Sequence, residues 1–338
     1  MISVRLALAA TTLVVLGHQA SAEPTKYPLS LDNCGQAIRF DHAPESVVTV
    51  GQTGTEMLYA LGLAERVKGT SVWFNEVLPD YKEANAKIER LAENHPSFES
   101  VVAKRPQLVT SQFEWHVGPQ GVTATREQFS DLGIPTYIMP ADCVGKDNDT
   151  GGDGTRSTAF TIDSVYQAVT ELSEIFDVQD KGEALLADMK TREAAASEKA
   201  KALGLEGKTA AFWFSSADIQ IDPYMAGQKG IPAYVMNKIG LKNIVQSDEE
   251  WPVVGWETVA KADPDIIFIA RMDRRRFPAD DYQVKLDFLR RDPVTSQMKA
   301  VKENRIVVVD AHAVHAGIRI PMGIEAIVDG LEKTYAAK

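Results

Sequence analysis

The sequence predicts an α/β protein of two lobes, each built on a mainly parallel sheet, with a single long α-helix linking them. Three observations carry this. Strand-like and helix-like segments alternate on both sides of residues 180 to 204. That stretch contains no proline and no glycine between Gly182 and Gly204, and Ala, Glu, Lys, Leu and Met, all strong helix formers, dominate it. A short pattern in the first half also returns in the second. Phe98-Glu99-Ser100 precedes Pro106 and Leu108-Val109, and Trp256-Glu257-Thr258 precedes Pro264 and Ile266-Ile267 at the same spacing. A duplicated α/β unit produces such a repeat, although shared helix-to-strand grammar produces it too.

The linking helix is expected to start at Asp180, with Glu183 completing a capping-box-like pair, and to stop at Gly204, a left-handed C′ residue. Leu185, Met189, Ala196, Ala200 and Leu203 form one apolar stripe. At 1.5 Å per residue it is roughly 30 Å long, enough to hold two lobes at a nearly fixed separation. An ordinary surface helix of one α/β domain is the other reading of the same stretch.

In chain order, Ser46 to Val50 reads as a strand, Gly51-Gln52-Thr53-Gly54 as a turn and Thr55 to Gly62 as a helix. Strands follow at Val67 to Phe74, Gln107 to Ser111 and Thr136 to Met139, with helices at Phe98 to Lys104 and Thr123 to Leu132. Asp142 to Ser157 is polar and glycine-rich, hence a loop, and Thr161 to Phe176 is an amphipathic helix. Beyond Gly207 the alternation resumes. Strands are expected at Thr209 to Phe214, Ile266 to Ala270 and Arg305 to Asp310, and helices at Pro232 to Ile239 and Met322 to Ala336. Pro293 ends or interrupts the segment containing Phe288 to Arg290. The resulting division is 1–22 leader, 23–160 first lobe, 161–204 helical segment and 205–338 second lobe.

The 338 residues suffice for two domains with sizeable cores. A net charge of −11 argues against nucleic acid and anionic membrane surfaces as partners. Arg5, the apolar run Leu6 to Leu16 and the small-x-small triplet Ala20-Ser21-Ala22 read as a secretory signal peptide cleaved after Ala22. The run is too short to span a membrane, and no cysteine follows it as a lipid-anchor site, so a freely soluble exported protein of a Gram-negative periplasm is expected. In that oxidising compartment the two cysteines, Cys34 and Cys143, are expected to pair. Metal ligation by two isolated cysteines is the weaker reading.

Ligands of open α/β sheets bind beyond the carboxyl ends of the strands. Here those ends are aromatic and basic: Trp73, Phe74, Phe113, Trp115 and His116 in the first lobe, then Trp213, Phe214, Tyr224 and Trp251 in the second. Arg271 and Arg319 each follow directly on an element end, while Arg274, Arg275 and Arg276 read chiefly as a solvated face. Rings with a few cations suit a flat or conjugated organic anion. The competing reading of any one tryptophan is packing. Catalytic patterns are weak: the chain has no G-x-S-x-G elbow, Walker A loop or H-E-x-x-H, and Ser215 and Ser216 have no nearby base in sequence. His312 and His315 with His116 could form an imidazole metal site, though lone histidines more often serve structure. Asp147, Asp149 and Asp153 miss the EF-hand spacing.

The order of these pieces resembles the periplasmic substrate-binding proteins of ABC importers for iron–siderophore, haem and cobalamin. The resemblance rests on Gly51-Gln52-Thr53-Gly54-Thr55-Glu56 with Ala60-Leu61-Gly62-Leu63, the long linking helix, and Trp256-Glu257 before Ala262-Asp263-Pro264-Asp265-Ile266-Ile267. It covers nearly the whole mature chain and implies two Rossmann-like lobes around a shallow cleft, little lobe motion, no catalysis and no intrinsic cofactor. It also implies an ABC permease as partner, no membrane insertion and a monomer. In that family one glutamate per lobe docks into permease arginines; the matching positions are Glu56 and Glu257. Tyr27 to Asn33 with Cys34-Gly35, and Ala141-Asp142-Cys143, resemble a subgroup of poorly assigned ligands, some of them deazaflavin-like. A ferric siderophore, an iron(III) chelate, is the first expectation for the ligand. Another cofactor-like organic anion (quinone, deazaflavin precursor, haem or cobalamin) is second. A zinc or manganese receptor and an exported α/β hydrolase are the remaining readings.

Overall fold

The computed structural model describes residues 22–149 and 154–336. The expected signal peptide, apart from its final residue, lies outside them, as does Asp153 of the acidic loop. Two separate five-stranded sheets form the frame. In the first, Arg90–Ala92, Val67–Ser71, Val47–Val50, Leu108–Ser111 and Thr136–Ile138 lie side by side in that order, all parallel. In the second, Thr209–Ser215 pairs in parallel with Ile266–Arg271, which pairs with Ile306–Asp310. Tyr224–Met225 adds an antiparallel edge, and Lys242–Asn243 pairs in parallel with the start of Thr209–Ser215.

Both sheets are apolar on both faces, as helices packed on either side require. Val47, Leu108 and Tyr137 point into one core of the first lobe, while Val48, Val50, Val109 and Ile138 point into the other. The second sheet divides likewise, with Ala210, Phe212 and Phe268 on one face and Ala211, Trp213, Ile267 and Ile269 on the opposite one. Strand Val67–Ser71 stops short of the expected Phe74, because Val72 has a left-handed φ of 57° that turns the chain out of the sheet. A β-branched residue adopts this only at a cost in strain.

The linking helix spans Gln179–Ala202, and Gly204 with φ 66° ends it as expected. Its start differs from the expected capping pair. Asp180 lies in the first turn without capping it, and its carboxylate accepts the backbone N–H of Ala22 at 2.6 Å. The helix is fastened on several sides. Glu193, 4% exposed, accepts from Tyr166 at 3.3 Å and from Tyr234 at 2.8 Å and pairs with Lys238. Lys199 pairs with Asp329 and Glu332 on the closing helix Ile320–Ala336, at 2.7 and 2.8 Å.

Cys34 and Cys143 form the expected disulfide, with an S–S distance of 1.99 Å. It ties the hairpin of Leu29–Asn33 and Gln36–Phe40 to the end of the first sheet. That hairpin, too short and too polar to announce itself, escapes the sequence reading. So does the helix Tyr282–Arg291. The duplicated pattern falls on matching elements: helix Phe98–Val102 leads into strand Leu108–Ser111, and helix Trp256–Ala262 into strand Ile266–Arg271.

Candidate functional site

The segments leaving the carboxyl ends of the two sheets meet between the lobes and bring their rings together. Phe74 follows the turn at Val72, and Phe113 follows strand Leu108–Ser111. Phe214 lies near the end of strand Thr209–Ser215, and His312 and His315 follow strand Ile306–Asp310. The ring centroid of His315 lies 5.3 Å from Phe74, 5.2 Å from His312 and 6.4 Å from each of Phe113 and Phe214. Phe214 stacks on Trp251 at 4.1 Å, and Phe113 reaches Trp115 at 6.4 Å. A continuous belt of rings thus runs from Trp115 in the first lobe, through His315, to Trp251 in the second.

The belt is held at two places, beside Phe74 in its middle and beside Trp251 at its end. At the first, Asn75, next to Phe74, donates to Asp310 and accepts the N–H of Asp273 at 3.2 Å. The N–H of Arg274 donates to the Phe74 carbonyl at 3.2 Å. Beside them Arg319 grips Glu56 side-on, Nε to Oε2 at 2.7 Å and Nη2 to Oε1 at 2.5 Å, and also donates to the Glu76 carbonyl at 2.6 Å. At the second, Arg156 grips Glu250, next to Trp251, in the same manner, Nε to Oε2 at 2.9 Å and Nη2 to Oε1 at 3.0 Å. Both pairs are buried, and each member is hydrogen-bonded, the arrangement in which a buried ion pair is tolerated.

The expected site residues divide into those inside the belt and those beneath it. Phe74, Trp115 and Trp251 belong to the belt. Trp73 and Trp213 are corrections to the expected ligand wall. Trp73 is 2% exposed, donates to Thr70 at 3.0 Å and lies under the Arg90 guanidinium; Trp213 is 1% exposed, donates to Ser216 at 3.0 Å and packs against Trp256. Past the turn at Val72, Trp73 is buried and Phe74 reaches the gap, while period-two alternation along Thr209–Ser215 buries Trp213 and turns Phe214 toward the gap. Tyr224 lies on the antiparallel edge opposite Ser215, outside the belt's ring contacts.

Arg319 does not face a ligand, because Glu56 fills its side-on edge, and Glu56, 1% exposed, presents no carboxylate for a transporter. These two assignments correct each other. Arg271 is exposed and has Asp310 at 3.5 Å and Asp273 at 3.8 Å. Glu257 is exposed, and so is its counterpart in the repeat, Glu99. The repeat itself held the signal for Glu99, which the motif around Glu56 obscured.

Burial and the neighbouring His95 push the His116 imidazole down to about 4. Burial likewise pushes His315 down to about 4 and His312 well below its ordinary value. All three are therefore neutral near pH 7. His116 pairs with His95 at 3.1 Å, while His312 and His315 pair with each other at 3.3 Å. Among the described residues no group of three His, Cys, Asp or Glu side chains is arranged to hold a metal ion. Ser215 donates to Asp280 at 2.7 Å, directed into the lobe rather than to a base. The arrangement provides apolar ring surface, neutral imidazoles and selected cations, which is the chemistry of binding.

The profile of the periplasmic binding protein family matches residues 47–313. The ABC transporter substrate-binding lipoprotein YvrC of Bacillus subtilis is 24% identical over 336 residues, covering 96% of this chain and 95% of that protein. Among solved structures, a periplasmic binding protein from Veillonella parvula superposes with a TM-score of 0.75 at 23% identity, covering 90% of this chain and 97% of that one. An ABC-type Fe3+-hydroxamate transport system protein from Saccharomonospora viridis gives 0.70 at 23% identity, with 92% and 99% coverage. These likenesses share the two-lobed α/β fold.

Proposed function

Because the chain belongs to the periplasmic binding protein family, we propose that it is the exported receptor of an ABC importer, capturing a small ligand between its lobes and passing it to a permease. The observation that carries this reading is the belt of rings joining the lobes, from Trp115 through His315 to Trp251. Stacking surface of this kind selects a ligand with aromatic or conjugated parts. A ferric siderophore with aromatic chelating groups fits it best, and another conjugated organic anion is the second choice. The hydrolase reading is the weaker one, since Ser215 is spent on Asp280. A zinc or manganese receptor is weaker still, since His116 turns to His95.

In this reading the protein works as a periplasmic monomer, and Glu99 and Glu257, the matching exposed acids of the duplicated unit, meet the permease. The ligand is sought by native mass spectrometry and the absorbance spectrum of protein purified from rich medium, where a conjugated chelate leaves both an added mass and a visible band. In cells, Glu99→Ala combined with Glu257→Ala is expected to lower uptake of ferric 2,3-dihydroxybenzoate by about tenfold or more while thermal stability stays unchanged. Full uptake by the double variant would overturn this docking pair.

A further inference from the structure

The rings of the belt meet one another across the gap, and one of them stands at the crossing. Within the belt, among the described residues, Phe74 and Phe113 of the first lobe reach second-lobe rings only through His312 and His315. His315 meets Phe74 edge to face, with centroids 5.3 Å apart and planes at 89°, and meets Phe113 in the same way at 6.4 Å and 80°. On the second lobe Phe214 lies 6.4 Å from it, backed by the stack on Trp251. The imidazole therefore holds the position from which a flat ring touches both lobes at once. Its backbone and its side chain are fastened very differently. Gly317, two residues on, packs so closely on Thr53 of the first lobe that a Cβ there would collide with Thr53 Cγ2, and Arg319 is clamped to Glu56. The imidazole itself is partly exposed and makes one hydrogen bond among the described residues, from Nδ1 to His312 Nδ1 at 3.3 Å. A bond between two neutral groups is a weak tie.

We propose that His315 is a plug that sets the specificity of the cleft: its imidazole fills the ring position between the lobes, and a ligand binds by displacing it and stacking against Phe74, Phe113 and Phe214 in its place. The inference rests on the receptor reading and states how that site selects. Displacement breaks ring contacts and one neutral hydrogen bond, while the backbone stays where Gly317 and Arg319 hold it. A ring-bearing ligand restores the lost contacts, and a ligand without rings does not, so the exchange itself discriminates. His312, 2% exposed, stays behind beneath the vacated position and presents its Nδ1 to the newcomer. The plug also lowers apparent affinity, because only molecules with the imidazole swung aside are competent to bind. Between ligands it keeps the faces of three phenylalanines covered, which guards against unspecific apolar contacts.

The sign of one mutational effect separates a plug from a ligand contact. Ferric 2,3-dihydroxybenzoate, titrated against tryptophan fluorescence, is expected to bind His315→Ala about 3- to 10-fold more tightly than the wild type, chiefly through faster association. His315→Asn, which gives up the ring and keeps a hydrogen-bonding group for His312, should tighten binding as well and serves if the alanine variant does not fold. Free imidazole at millimolar concentration should refill the space in His315→Ala. It is expected to raise the unfolding midpoint of that variant by a few degrees and to compete with the chelate, and to do neither in the wild type. Weaker or unchanged chelate binding in both variants overturns the plug and leaves the receptor reading standing, with His315 an ordinary wall of the site. Absence of any imidazole effect on His315→Ala overturns it equally. If the chelate binds none of the proteins, the imidazole experiment alone decides the plug. The receptor reading then falls only if native mass spectrometry also finds no small molecule on the purified wild type.

Discussion

Two places along the ring belt, Phe74 in its middle and Trp251 at its end, are fastened by the same device in different surroundings. At one, Arg319 and Glu56 lie beside Phe74, and at the other Arg156 and Glu250 lie beside Trp251. Arg319 also holds the Glu76 carbonyl, two residues past Phe74, and Glu250 directly precedes Trp251. The difference lies in what accompanies them. The second is closed by backbone bonds, Arg156 N–H to the Asp248 carbonyl at 3.2 Å and Phe160 N–H to the Lys229 carbonyl at 2.8 Å. Beside Phe74 one backbone bond, Arg274 N–H to the Phe74 carbonyl at 3.2 Å, is joined by two side-chain bonds, Asn75 with Asp310 and Arg274 with Asn94. Side-chain bonds exchange partners on a faster timescale than backbone ladders open. The comparison teaches that the lobes meet through more side-chain bonding beside Phe74 and more backbone bonding beside Trp251.

The strongest way to break this comparison is to remove one member of a clamp. Arg319→Met leaves Glu56 buried without its counter-charge and is expected to cost about 3–5 kcal/mol, whereas Glu56→Met with Arg319→Met should recover most of that loss. Arg156→Met should cost a similar amount, since Arg156 and Glu250 are 3% and 7% exposed. Thermal or denaturant unfolding reads all three variants. A much smaller loss for Arg156→Met would show that the two places are not equivalent.

A second experiment addresses what supports Phe214. Lys285 is fully buried and donates to the Phe214 carbonyl at 2.5 Å and to the Ala270 carbonyl at 3.4 Å, where the two strands part. Burial pushes its ammonium down to about 8, with Asp280 opposing the shift. A folded-state value below the unfolded one means that the folded protein releases this proton first. Stability relative to Lys285→Met should therefore rise between about pH 8 and pH 10.4, by at most about 1.4 kcal/mol per pH unit. Parallel stability curves for the two proteins would remove the buried charge from the account. The smallest expected effect sharpens the comparison at the Trp251 end: Trp251→Leu should lose about 1 kcal/mol of stacking on Phe214 and change the near-UV circular dichroism. An unaltered spectrum would mean that the stack does not persist in solution.

Much of the architecture was legible because it rests on local signals. The linking helix is read from residue propensities and its terminal glycine, and the parallel strands from short β-branched runs between helices. The cysteine pair is read from count and compartment. The site was legible only as a list of strand ends. Trp73 and Phe74 are neighbours in sequence, as are Trp213 and Phe214, and which member of each pair faces the gap depends on the register and on the turn at Val72. Glu56 and Arg319 each looked like a functional charge, yet 263 positions of separation hid the fact that they neutralise one another. Glu99 was within reach through its match to Glu257, but the turn motif next to Glu56 drew the assignment instead. Arg274, read as solvated, lacked any sequence sign of Asn94 on the far lobe.

The sequence by itself determined the elements, their alternation, the covalent tie and the family to which the chain belongs, because propensity, periodicity and motif order act over short stretches. Tertiary structure decided which charges are spent and which stay available. Ion pairing and burial depend on distances between residues far apart in the chain, and these distances exist only once the two sheets are set against each other.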